Sequence, residues 1–151
     1  MWAFEPNPEN YLCASITRQI NRLDNVELRN AGLGEQRGIA RMIVSDKDGG
    51  ALGGASHIVA GDNQGKGLQD VDIVSIDEMV PSDRPISIIQ LDVEYYEQQA
   101  LAGALLTIRR WSPILVLENL PDEGWLARNI LQLGYRVWGK VIYNTVLVKG
   151  K

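Results

Sequence analysis

The chain has 151 residues, 45% hydrophobic and 23% charged, a composition with room for one soluble globular core. Its formal net charge of −4 and pI near 5.0 leave no basic footprint for nucleic acid or for an anionic membrane surface. One cysteine, Cys13, excludes an internal disulfide, and the lack of a signal-like start or of the ~20 apolar residues that span a bilayer points to the cytoplasm.

A single domain over residues 1–151 is expected. Residues 2–5 form a short strand that ends in Glu5. Asn7 is a good N-cap and Pro8 suits the first helical position. Leu12, Ile16, Ile20 and Leu23 recur at helical spacing, which predicts a helix over 8–22 with those residues facing a core. Cys13 lies beside that stripe as a small core residue. A strand over 26–30 is followed by a turn at 31–34. Two β-like runs, 39–44 and 56–60, flank Asp46-Lys47-Asp48-Gly49-Gly50 and predict a hairpin. Residues 61–69 read as a mobile loop.

The strand over 71–76 leads to Asp77, expected to cap a brief helical turn through residue 80. Residues 86–91 are nearly all apolar, as a strand buried on both faces should be, and end in Asp92. One helix is expected over 95–110, then a second buried strand over 113–117 that ends in Glu118. Asp122 caps a helix that Gly134 stops. Residues 135–141 and 143–148 close the chain as an antiparallel pair. The order is that of an α/β fold with a mainly parallel sheet.

An acid at the end of an early strand is the group that grips a cofactor ribose in open α/β sheets, but there it belongs to the second strand. Here only Met1 and Trp2 precede the strand's buried run. The domain therefore reads as one that starts a βα unit late.

Three segments carry a family likeness. They are Ala3-Phe4-Glu5-Pro6-Asn7-Pro8 with Asn25-Val26-Glu27-Leu28, then Asn30-Ala31-Gly32-Leu33-Gly34-Glu35, then Ile89-Gln90-Leu91-Asp92-Val93-Glu94-Tyr95-Tyr96-Glu97. The third continues through Leu101-Ala102-Gly103 to Pro113-Ile114-Leu115-Val116-Leu117-Glu118, and Ile76-Asp77-Glu78-Met79 adds a short motif. In this order and spacing they resemble the FkbM family of S-adenosylmethionine-dependent methyltransferases. The family's opening strand and its Asp-x-Gly-type turn have no counterpart. Gln90 stands where the family usually has Lys, and Tyr95 where it favours Gly.

The resemblance implies a Rossmann-like class I methyltransferase sheet, mainly parallel with a C-terminal antiparallel pair and N-terminally truncated. The missing βα unit, roughly 30 residues, would lie between the strands at 2–5 and 86–91. Its loss would leave unpaired strand edges, and self-association is expected from them.

Glu5 is the first candidate for binding the cofactor ribose, since a carboxylate accepts from both hydroxyls; a solvated acid at a strand end is the plain alternative. Asn7 is a helix cap before it is a ligand. Ala31 and Gly32 read equally as space for an adenine ring or as an ordinary tight turn. Asp92 and Glu94 are the candidate catalytic residues, Asp92 to orient the acceptor or take its proton. Asp92 as a cap of the helix over 95–110, and Glu94 as a first-turn acid favoured by the helix dipole, are the alternatives. Glu118 repeats the pattern one strand on.

His57 is the only histidine, so no histidine-based metal cluster is available and no metal is expected. The glycines over 49–67 lack the Gly-Lys-Ser/Thr ending of a phosphate loop. Trp111, Trp125 and Trp138 read as core or edge residues. The resemblance implies S-adenosylmethionine as cofactor and methylation of a hydroxyl on a sugar or natural product, a small-molecule or glycan acceptor. A nicotinamide-dependent oxidoreductase is a second enzyme reading. The rival of another class is a non-catalytic methyltransferase-like module acting in binding or assembly.

Overall fold

The computed structural model describes residues 1–59 and 67–150 and divides into two compact units, Met1–Val74 and Ser75–Lys151. The sheets are mixed. Among the described residues three strand pairings are parallel and four antiparallel, so the expected predominance of parallel pairing is not what the strands adopt.

In the first unit, β1 (Trp2–Phe4) pairs in parallel with β2 (Glu27–Arg29), and α1 (Pro8–Ile20) is the crossover between them. The helix starts where expected, because Asn7 Oδ1 accepts from the N–H groups of Glu9 (2.9 Å) and Asn10 (3.4 Å) and Pro8 occupies the first turn. It stops at Asn21, whose backbone and side-chain N–H groups both donate to the Thr17 carbonyl. The expected apolar stripe does not face a core. Leu12, Ile16 and Ile20 are 59%, 47% and 76% exposed, and no residue of α1 is buried. Cys13 is exposed as well, so it is not the core residue expected. Helical spacing fixes which side chains share a face. It does not supply the surface that covers them.

A four-stranded sheet completes this unit in the order β3 (Gly32–Leu33), β6 (Leu68–Val74), β4 (Gly38–Ile43), β5 (His57–Val59). Residues 31–34, expected as a plain turn, contribute β3, which pairs in parallel with β6 through Gly32–Ile73 and Leu33–Val74. The expected hairpin is present as β4 against β5. Its turn is set by Asp46 Oδ1, which accepts from the N–H groups of Asp48 and Gly50. Met42, Val71 and Ile73 form the buried cluster, with Ala40, Val44 and Ile58 packed on it. β6 begins at Leu68, inside the expected loop over 61–69; residues 61–66 of that loop lie outside the described residues.

In the second unit the sheet order is β7 (Ile88–Leu91), β8 (Ile114–Leu117), β10 (Asn144–Lys149), β9 (Tyr135–Val141). β7 and β8 are parallel, and the expected closing pair β9–β10 is antiparallel. β7 was expected to be buried on both faces, but its burial alternates: Ile89 and Leu91 are buried while Ile88 and Gln90 are exposed. An apolar run buries only the face that something covers. Trp138 is 65% exposed, unlike the edge or core residue expected, and Trp111 and Trp125 are partly buried. Among the described residues no helix is long and apolar enough to cross a membrane.

The expected single helix over 95–110 is two, α3 (Glu97–Ala102) and α4 (Leu105–Trp111), broken at Gly103. The break has a partner. Gly103 O accepts the Asp77 N–H (2.8 Å), while the Asp77 carboxylate accepts from Leu106 N (2.9 Å), Thr107 N (2.8 Å) and Thr107 Oγ1 (2.7 Å). Asp77 thus caps α4, about 30 residues away along the chain. The short α2 (Ile76–Met79), which Asp77 was expected to cap, is capped by Ser75 Oγ accepting from Glu78 N. After β8, α5 (Glu123–Asn129) is capped by Asp122 as expected, and Gly134, at φ 91°, ends the 3-10 turn that follows it.

Asp77→Ala removes three acceptor contacts and leaves N–H groups at the start of α4 without their partner. Urea unfolding is expected to show a loss of about 1–2 kcal/mol, and Asp77→Asn, which keeps one acceptor oxygen, a smaller one.

Candidate functional site

The expected site residues fall into two groups, one in each unit. In the first, β1 delivers Glu5 to the strand's C-terminal end, with Glu5 N donating to Arg29 O (3.0 Å). Glu5 is half-buried, and its Oε1 accepts the Asn7 N–H (2.8 Å). Burial pushes its pKa above the ordinary 4.5, opposed by the bonds from the Asn7 backbone and the Asn10 side chain. Asn30, at the end of β2, donates its side-chain amide to the Glu5 and Pro6 carbonyls (2.8 and 3.1 Å). The carboxylate therefore sits on a backbone pinned on both sides.

Asn7 is 3% exposed and uses its whole amide. Its Oδ1 caps α1 and its Nδ2 donates to Ser56 Oγ (2.9 Å). Capping, the plainer expectation for Asn7, is what its oxygen does. Ala31 and Gly32 are buried. A Cβ at Gly32 would stand 2.9 Å from Ile73 Cδ1 and 3.5 Å from Pro6 Cβ, so on that side the missing side chain admits close packing. Backbone groups are what this segment has left to offer a ring. His57 is partly buried, with Nδ1 3.1 Å from the Ala55 carbonyl oxygen.

In the second unit, Asp92 follows β7 and Glu118 follows β8, and the parallel pairing of those strands brings the two acids side by side. The Glu118 N–H donates to Leu91 O (3.1 Å) at that junction. Carboxylate oxygens of Asp92, Glu94 and Glu118 all lie within 4.8 Å of one another. Asp92 does not cap the following helix, whose first turn has no side-chain cap. Glu94 and Tyr95 instead turn the chain with φ of 48° and 70°, the left-handed region. Glycine adopts that conformation freely, whereas Tyr95 holds it against the clash of its Cβ.

The Glu118 pKa is raised, first by partial burial, then by a hydrogen bond with Asp92 and the negative charges of Asp92, Glu94 and Glu97. Each of these causes disfavours the charged form of Glu118. Three carboxylates also offer oxygen donors of the kind a hard divalent cation prefers, as part of the roughly six to eight ligands it takes.

Several members escaped sequence reading. Glu97 is 2% exposed and its Oε1 accepts from Asn119 N (3.3 Å) and Nδ2 (3.4 Å), which fixes the residue after Glu118. Its place in the first turn of a helix was visible, but its burial was not. Asn10, Asn30 and Ser56 carry no spacing signal, because their partners are 43, 25 and 49 residues away.

The model of the Methyltransferase FkbM domain matches residues 1–137. No curated protein matches the chain. Among solved structures the chain is similar to the methyltransferase FkbM from Methylobacillus flagellatus KT, at 20% identity and a TM-score of 0.56. That match covers 97% of this chain and 35% of the other, so the chain spans about a third of that protein's length. At this identity the likeness speaks to fold alone.

Tyr95→Gly is expected to stabilise the second unit by up to about 1 kcal/mol, because relief of the left-handed strain exceeds glycine's added chain entropy; chemical denaturation reads it. Because the Glu118 pKa is raised in the fold, its stabilising contribution is full below the ordinary 4.5 and lost as pH rises through the folded value. Glu118→Gln is therefore expected to match the parent's Tm near pH 4 and to exceed it increasingly toward pH 7. An equal Tm difference at both ends would contradict this assignment.

Proposed function

The chain belongs to the FkbM methyltransferase domain family, and from that membership we propose that it binds S-adenosylmethionine and methylates a hydroxyl of a sugar or natural product. The observation that carries the reading is the family match over residues 1–137 together with Glu5, a carboxylate held at a strand's end by the Asn7 N–H. The Glu5 carboxylate accepts from the Asn7 N–H and from the Asn10 side chain, and an ionised carboxylate with about four lone-pair sites keeps capacity to accept from ribose hydroxyls as well. The donor set fits the group. The buried backbone at Ala31 and Gly32 is the proposed neighbour of the adenine.

When bound, S-adenosylmethionine supplies an electrophilic methyl group. What the chain must add is alignment of the acceptor and removal of its proton. Proton removal falls to the Asp92–Glu118 pair, whose carboxylates stand side by side at the ends of β7 and β8. Glu118 is raised above its usual range, and a carboxyl so raised is a stronger base than an ordinary one. Glu94 adds negative charge beside them.

A second reading, a non-catalytic module that self-associates, is favoured by a separate observation. The apolar residues of α1 are exposed, and β7 pairs only with β8 among the described residues, leaving an edge with Ile88 exposed. Such an edge is a template for another strand.

Calorimetry with S-adenosylmethionine is expected to give micromolar affinity, weakened at least about tenfold in Glu5→Ala by loss of a charged acceptor. No heat from the wild-type protein, together with a sedimentation mass that grows with concentration, would replace the enzyme reading with the assembly one.

A further inference from the structure

A glutamate at the end of a three-residue strand has a mobile head unless its neighbours hold it. Glu5 Oε1 is held by the Asn7 N–H and its carboxylate also by the Asn10 side chain, so its placement depends on how well those two residues are held. Capping α1 uses Asn7 Oδ1 and nothing more. The second half of its amide is spent elsewhere, on Ser56 Oγ, in a buried bond that spans 49 residues. Ser56 passes the tie on by donating to Gly53 O (2.8 Å). Asn10 Nδ2 donates to the same carbonyl (3.1 Å), while its side chain also bonds Glu5. The 3-10 turn at Gly53–Ala55 and Ser56 are thereby fastened to the first turn of α1 at two points.

Asn7 Oδ1, Asn7 Nδ2 and Ser56 Oγ each have a partner, so losing one member strands another. Without the Ser56 hydroxyl, Asn7 Nδ2 would be buried with no acceptor, and the whole amide would gain reason to rotate. We propose that Ser56 and Asn10 are positioning residues that orient the Glu5 carboxylate, through Asn7 and directly, to receive the ribose hydroxyls of the methyl donor. The inference rests on the cofactor reading above and extends it to the hairpin excursion. That segment sets the cofactor grip from outside the motif that contains Glu5.

The test joins two readouts on the full chain. The carboxyl ¹³C resonance of Glu5 reports its placement without cofactor, and calorimetry with S-adenosylmethionine reports the grip. Ser56→Ala and Asn10→Ala are each expected to shift the Glu5 resonance and to weaken binding about five- to tenfold, the worth of one buried hydrogen bond. Ser56→Thr, which keeps a hydroxyl, is expected to restore both. In a Glu5→Ala background, Ser56→Ala should add no further loss of binding even where it lowers Tm, an outcome that a merely structural serine would not give. An unmoved Glu5 resonance, or an equal loss of affinity with and without Glu5, overturns the proposal. A shifted resonance in a protein that does not bind the donor instead overturns the cofactor reading, and the ribose role falls with it.

Discussion

Helix starts present more N–H groups than the helix itself can satisfy, and what meets that demand organises both units. At α1 the demand is met locally, by Asn7 Oδ1 for Glu9 and Asn10. The Asn7 N–H just outside the helix is then free to fix Glu5. At α4 it is met from a distance, by the Asp77 carboxylate on Leu106 and Thr107, and Gly103 O takes the Asp77 N–H in return. That exchange is why one run of helix-forming residues becomes two helices. In each unit an acid or amide aimed at orphan N–H groups decides where a helix begins.

The second organising effect is crowding of like charge. Parallel pairing of β7 and β8 sets two strand ends level, and each ends in an acid. Left-handed backbone at Glu94 and Tyr95 brings a third carboxylate back toward the first two. Buried Glu97 adds a fourth charge and holds Asn119 beside Glu118. None of this helps folding at neutral pH, since each added negative charge makes the next ionisation harder. The cluster is a cost to stability that the strands impose by their register.

Local chemistry was legible in the sequence and tertiary coverage was not. Asn7, Pro8, Asp122 and Gly134 each act within a few residues of themselves, and the structure places each in its expected role. Asp77 was read as a local cap because sequence spacing offers only local partners; its real partners are about 30 residues on. The period of α1 was correct and the burial of Leu12, Ile16 and Ile20 was not, because period says nothing about what lies opposite. The same holds for β7, whose apolar letters suggested two covered faces while only Ile89 and Leu91 are buried. At the candidate site, the acids at strand ends could be found by position. The tie between Asn7 and Ser56 could not, since the two meet only in three dimensions.

Glu5 separates the cofactor reading from a purely structural one by an argument about charge. The Asn7 N–H needs an acceptor, and a glutamine oxygen would serve it without an ionised group in a half-buried place. Burial raises the Glu5 pKa, which means the fold works against the charged form. What glutamate offers beyond glutamine is negative charge and acceptor-only oxygens, and neither is required by β1, by α1 or by the Ser56 tie. Both are what a pair of sugar hydroxyls demands, since each hydroxyl arrives with a proton to donate. A charge the fold disfavours, held still by its neighbours, is what the proposed ribose role accounts for and a purely structural role does not.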